Sequence, residues 1–229
     1  MKTAIITGAS GNLGQAVVKK FLAEGYHITS TVIPNDPVAI GINGKNFQTA
    51  VVDLMNEDAA QKFADLIVAG HKTIDVAILT VGGFAMGNIA DTKTSDIAKQ
   101  YQLNFETAYN IARPVFVQMM KQGSGRIFLI GSRPGLDMKN SKGMVAYGLG
   151  KSLIFRLAEL MNEEAKGTDV VVSVVVPSTI DTAQNRAAMP KADFSKWVKP
   201  EAIADIIYFH CSEQGGVLRE PVIKVYGNS

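Results

Sequence analysis

Seven short apolar runs rich in β-branched residues, at Ala4–Thr7, His27–Ile33, Phe47–Val52, Asp75–Val81, Arg126–Ile130, Val170–Val176 and Val222–Tyr226, read as strands. Between them lie segments of helical period at Leu13–Glu24, Glu57–Ala69, Ser95–Lys121, Val145–Lys166 and Pro200–Ser212. Several of the runs are continuous rather than alternating, which suits a parallel sheet covered on both faces. Strand and helix in alternation predict an α/β chain with a doubly wound parallel sheet. Right-handed crossovers then put the binding crevice beyond the carboxyl end of the first strand. With 229 residues and no repeat, low-complexity tract or linker, the expectation is one domain over 1–229. Pro114, inside the long third helical segment, is expected to kink that helix rather than end it.

Bulk composition excludes more than it proposes. Net charge is +2 with both signs scattered, so no basic face or tail calls for nucleic acid or a membrane surface. A single cysteine, Cys211, rules out an intramolecular disulfide, and His27, His71 and His210 are too far apart in sequence to make a metal-ligand pattern. The apolar run after Met1 is too short for a signal-peptide core, and no stretch is long enough to span a bilayer. The expectation is a cytoplasmic, metal-free protein whose partner is a small molecule.

Thr7-Gly8-Ala9-Ser10-Gly11-Asn12-Leu13-Gly14 follows the first strand and opens the first helix, the context in which a glycine pattern becomes a phosphate cradle. Gly8 permits the tight turn, Gly11 lets backbone N–H groups approach a pyrophosphate, and Gly14 allows the helix to pack closely on the strand. The helix N-terminus favours the anion, so Gly8 and the stretch from Ser10 through Gly14, including Asn12 and Leu13, are candidate dinucleotide contacts. The alternative is a tight turn without a ligand. An acid or a base at the end of the second strand normally chooses between the two nicotinamide cofactors, and this chain has Val32 there, with Asp36 several residues late. NAD and NADP therefore both stay open. Asp53, in Val52-Asp53-Leu54 after the third strand, either accepts from an adenine amino group or caps the helix that starts near Asn56.

Tyr147 and Lys151 stand four apart, on one face of a predicted helix. A free phenol titrates near ~10, and a neighbouring ammonium favours phenolate and draws that value towards neutrality. Of the six tyrosines only Tyr147 has lysine at the fourth position on.

Taken in order, Thr7-Gly8 with its loop, Asp53, Thr80-Val81-Gly82-Gly83, Asn104, Ser132, Tyr147 with Lys151, and Pro177-Ser-Thr-Ile180-Asp-Thr182 resemble a short-chain dehydrogenase/reductase along nearly the whole chain. The resemblance implies a Rossmann-type seven-stranded sheet in the order 3-2-1-4-5-6-7. It makes Tyr147 the general acid, Lys151 its activator and a ribose contact, Ser132 the anchor of the substrate oxygen, and Asn104 a helix-distorting residue carrying a water relay. It extends the cofactor site to Leu54, Val81, Gly82, Gly83, Pro177, Ile180 and Thr182, and it implies a homodimer or homotetramer built on Ser95–Lys121 and Val145–Lys166. Hydride transfer leaves developing charge on oxygen, which a protein must hold and protonate. Ser132 sits fifteen positions before Tyr147, so a small insertion is expected between them. Asparagine is a poor helix former, which agrees with a distortion at Asn104.

Within that family the chain is similar to dihydropteridine-reductase-like members, in Gly82-Gly-Phe84-Ala-Met86-Gly-Asn88 and in the loop from Pro177 to Trp197. That subgroup characteristically lacks the serine and asparagine that this chain has at Ser132 and Asn104, and carries an acid where Val32 stands. Phe84, Met86, Met138, Met189 and Trp197 lie in loops on the substrate side, either packing or touching a ligand, with 180–198 as the substrate loop. Gly148 and Gly150 inside a helix each cost on the order of 1 kcal/mol against alanine, so a ligand or another helix must come close. The expected activity is an NAD(P)-dependent oxidoreductase on a small carbonyl or C=N. Its rivals are a dihydropteridine reductase proper and a non-catalytic nucleotide sensor, the latter opposed by the full catalytic set.

Overall fold

A computed structural model describes residues 1–36, 40–137, 139, 141–219 and 221–228. Seven strands form one sheet: β1 (Thr3–Thr7), β2 (His27–Val32), β3 (Phe47–Val51), β4 (Val76–Leu79), β5 (Ser124–Ile130), β6 (Asp169–Pro177) and β7 (Val222–Val225). Their order is β3-β2-β1-β4-β5-β6-β7, and every pairing is parallel. The helices are α1 (Asn12–Ala23), α2 (Glu57–His71), α3 (Thr94–Tyr101), α4 (Thr107–Gln122), α5 (Arg133–Leu136), α6 (Val145–Glu164), α7 (Ala183–Ala188) and α8 (Pro200–Phe209). No helix among the described residues is long and apolar enough to cross a membrane.

Successive strand side chains point to opposite faces, so the central strands feed two cores. Ile5, Ala77, Leu79, Ile127 and Val174 pack with Phe63, Ile111 and Ile154 of α2, α4 and α6. On the other face Ala4, Ile6, Ile78 and Phe128 pack with Phe21 of α1 and Ile203 of α8. Both faces of β1 are thereby buried, which is why its run is continuously apolar. The edge strand β3 is mostly exposed and alternates less clearly.

The long third helical segment is not one α-helix. A π-turn at Gln102–Glu106 joins α3 to α4, so the hydrogen-bond register slips by one residue around Asn104. Pro114 lies within α4 without ending it. Two short helices, α5 and α7, occupy stretches whose sequence reads as loop, as does a 3₁₀ turn at Phe194–Lys196.

Candidate active site

The turn from β1 to α1 brings helix and strand into contact. Gly8 adopts φ of +68°, which a side chain would strain. A Cβ on Gly14 would stand 2.1 Å from the Gly8 carbonyl oxygen, so only glycine lets α1 start where it does. Thr80 Oγ1 donates to Thr7 O at 2.6 Å and Ala9 N to Thr31 O at 3.2 Å, pinning the turn between β4 and β2. Gly11, at the N-cap, supplies no side-chain cap, and the first turn of α1 holds no acid. The N–H groups of that turn and the positive end of the helix are thus left for an anion. Ser10 has its carbonyl taken by Gln15 Nε2 at 3.0 Å, and Leu13 is buried in the core, so Leu13 offers a ligand only its main chain.

Beyond the end of β3 Asp53 is exposed, with Oδ1 accepting from Met55 N at 3.0 Å. The cap of α2 is Asn56, whose side chain accepts from Ala59 N at 3.0 Å, so the capping alternative for Asp53 falls away. Leu54 sends its side chain into the core and its carbonyl to Asn110 Nδ2 at 2.9 Å. At the tip of β2 stand two apolar side chains, Val32 half-buried and Ile33 exposed, rather than an acid or a base.

Around Asn104 the geometry is tightly determined. Its Oδ1 accepts from Gly83 N at 3.0 Å, while Nδ2 donates to Gly83 O and to Gln100 Oε1, both at 2.9 Å. The side chain is 1% exposed, and these three bonds compensate the burial of its amide. At the π-turn the residue reaches the loop after β4 as well as Gln100 one turn back, which is the distortion expected at this asparagine. A Cβ on Gly82 would meet Asn104 Oδ1 at 2.8 Å and Lys151 Nζ at 3.1 Å, so Gly82 is the space that the two polar groups share.

Lys151 is 5% exposed and donates from Nζ to Ile130 O at 2.8 Å. Burial pulls its pKa down to about 8. Tyr147 differs from the expectation of a lowered phenol: burial pushes its pKa up, and a hydrogen bond with Ser132 works in the other direction. The ammonium is held to the end of β5 by the Ile130 carbonyl, which sequence spacing does not reveal. Ser132 also accepts from Gly135 N at 3.3 Å as the cap of α5.

Phe84 lies against Tyr147, and its loop is tied down nearby. Gly87 N donates to Gly143 O at 2.7 Å and Gly87 O accepts from Val145 N at 3.0 Å, joining the loop after β4 to the first residue of α6. Met86 belongs to the same wall and is exposed. Met138 lies outside the described residues. The two helix glycines answer to other helices: a Cβ on Gly150 would meet Gln100 O of α3 at 2.8 Å, and one on Gly148 would meet Pro134 O of α5 at 3.3 Å.

In the loop after β6, Thr182 caps α7 by accepting from Asn185 N at 3.1 Å, and Asn185 Nδ2 donates to Ile180 O at 2.8 Å. Pro177 closes β6 beside Val225. Trp197 packs on Phe194, centroids 4.7 Å apart, within the loop itself. Met189 ends α7 and is exposed. Two contributors went unnoticed in the sequence: Gln100, whose signal was a polar residue one turn before Asn104, and Gly135, where a Cβ would meet the Lys151 backbone at 2.7 Å.

Residues 2–193 match the family described as short chain dehydrogenase. The chain is 24% identical over 243 residues to the acetoacetyl-CoA reductase of Acinetobacter sp. (strain RA3849), covering 99% of this chain and 96% of that protein. A short-chain dehydrogenase/reductase structure from Serratia marcescens BCRC 10948 superposes with a TM-score of 0.87 at 23% identity, over 100% of this chain and 98% of the other. The structure of ElxO with NADP bound does so with a TM-score of 0.89 at 22% identity, over 99% and 97% of the two chains.

Proposed function

The chain belongs to the short chain dehydrogenase family and is an oxidoreductase using NAD or NADP; on that premise we propose that it reduces a small carbonyl, or an electronically similar C=N, with Tyr147 as general acid. The observation that carries the proposal is the buried Lys151, four residues after Tyr147 on α6, with Nζ on Ile130 O at 2.8 Å and sharing the space at Gly82 with Asn104.

The residues of the crevice fit a dinucleotide: an uncapped, acid-free helix start shares a cavity with Thr182, and ElxO, of similar fold, holds NADP. Bound there, the nicotinamide supplies the hydride in reduction and takes it up in oxidation. Ser132 holds the substrate oxygen, and Tyr147 gives that oxygen its proton as negative charge develops on it. Lys151 stabilises the phenolate left behind and holds the nicotinamide ribose. Asn104, on the other side of Gly82 from Lys151, anchors the relay that returns a proton to Tyr147.

Exposed Tyr101, Tyr109 and Val117 near or on α4, with Leu149, Leu153 and Leu160 on α6, support a homodimer or homotetramer through these helices. A strict monomer by light scattering refutes that assembly.

The test is to measure NADH and NADPH affinity, then to follow oxidation of the tighter cofactor with pterins, ketones, aldehydes and quinones. Failure to bind either cofactor, or full turnover by Tyr147→Phe, overturns the proposal. The aromatic wall at Phe84 favours a second reading of the acceptor as a quinonoid dihydropterin. Negligible pterin turnover beside rapid ketone turnover rejects it.

A further inference from the structure

Between α1 and α7 lies a cavity of about 520 Å³ that none of the proposed catalytic groups lines. Asn12, Gln15 and Lys19 form its α1 side, and Thr182 and Arg186 face them. It opens beside the uncapped start of α1, where the cofactor diphosphate is proposed to sit. Its cations, Lys19, Arg186 and Lys199, outnumber its acids, Asp181 and Glu201.

Arg186 is held in a defined pose. Its Nε donates to Asp181 Oδ1 at 2.6 Å and its Nη2 to Asp181 Oδ2 at 2.8 Å, while the Phe194 ring lies 4.8 Å from the guanidinium carbon. Asp181 is itself anchored, since its N–H donates to Val198 O at 2.8 Å. The paired carboxylate side chain is 12% exposed and the arginine side chain 51%. A guanidinium carries five N–H donors, and the Asp181 pair engages one edge of it. Nη1 meets no acceptor among the described residues. Two anchors on an arginine, an acid along one edge and an aromatic ring on its face, leave a planar donor fork presented to the cavity, the geometry that suits a phosphate oxygen.

From this arrangement we infer that Arg186 is a clasp for the cofactor diphosphate, carried on α7 with part of its charge offset by Asp181, so that the loop after β6 and the glycine turn grip the same anion from opposite sides. The inference rests on the cofactor reading above. The same contacts also admit a purely structural role, in which the ion pair merely shapes the loop. The two roles diverge because Asp181→Asn removes the acid's charge while its amide oxygen still accepts from Arg186 Nε, so the guanidinium keeps its pose with more of its charge free for an anion.

The experiment uses the full chain and compares wild type, Arg186→Gln and Asp181→Asn in titrations with NADH, NADPH and ADP-ribose, which carries the diphosphate without the nicotinamide. Expected is a dissociation constant about tenfold weaker for Arg186→Gln with all three ligands. Asp181→Asn is expected to bind as tightly as wild type or more tightly. Equal affinity in wild type and Arg186→Gln overturns the clasp, and so does an equal loss in both variants, which would mark the pair as structural. Wild type that binds none of the three defeats the cofactor reading itself, and the clasp with it.

Discussion

Phe84 meets Tyr147 edge-on, with ring centroids 5.0 Å apart and ring planes at 79°. The phenol is therefore dried by a ring that is itself 59% exposed. Burial is what raises the pKa of Tyr147, so Phe84→Ala, by admitting water, should bring it down towards the ordinary value. Ultraviolet titration of the phenolate, with the Tyr147→Phe protein subtracted, reads the shift. An unchanged value would show that other neighbours do the drying.

Tyr147→Phe keeps that packing and removes the hydroxyl, with its proton and its bond to Ser132. Turnover should fall about 10²- to 10⁴-fold, the usual span for a lost general acid, while the affinity for the preferred cofactor stays as it was. Single-turnover kinetics beside a fluorescence titration separate the two effects.

Ser132 serves both the site and the fold. Ser132→Ala takes away the bond that lowers the phenol, so Tyr147 should titrate higher still. It also removes the α5 cap, at a cost of about 1 kcal/mol in urea unfolding. Ser132→Thr keeps an acceptor at the cap and should recover most of the stability.

Lys151, with its pKa held down to about 8, sets two pH effects. In the reduction direction the ammonium form supports Tyr147, so kcat should decline as pH rises past about 8. For stability, the unfolded chain keeps the lysine proton up to the ordinary value of 10.5, while the native chain releases it from about 8. Across that window the unfolded state binds more protons, so Lys151 adds a rise in stability with pH, and below about 8 the full cost of burying the charge applies. Lys151→Met should lack this rise, as pH-dependent urea denaturation of the two proteins would reveal.

Gly150 and Gly70 make opposite forecasts for one substitution. A Cβ at Gly150 runs into the Gln100 carbonyl at 2.8 Å, so Gly150→Ala should cost about 1–3 kcal/mol. Gly70, near the end of α2, has nothing within 4 Å of the same atom, and Gly70→Ala should add about 0.5–1 kcal/mol. Melting temperatures that move the same way in both variants would contradict the packing described here.

The seven strands were legible because each is a compact β-branched run, and their order followed from family resemblance together with parallel winding. The ends of α2 and α6 lie within two residues of the sequence boundaries, since a long amphipathic period carries its own phase. Four-residue α5 and six-residue α7 have no period to read, and they surfaced only in three dimensions. Asn104 stood out as a poor helix former, yet nothing local disclosed that the helix takes an extra residue there to reach Gly83. The balance at Tyr147 was hidden for a related reason: it sets burial by the folded chain against a hydrogen bond with Ser132, fifteen residues earlier. Whether a ligand or a helix pressed on Gly148 and Gly150 was likewise a question about residues distant in sequence.

The bond pair at Gly87 makes the wall beside Tyr147 suitable material for redesign. With Gly87 fastened to Gly143 and Val145, the backbone beneath Phe84 and Met86 is bolted to the same helix that carries Tyr147. Libraries at positions 84 and 86 can therefore reshape one wall while the acid stays in register. Replacing Gly87 is a different matter, because a Cβ there would strike Thr92 Oγ1 at 2.7 Å and displace the hydroxyl that donates to Asn88 O in the same loop.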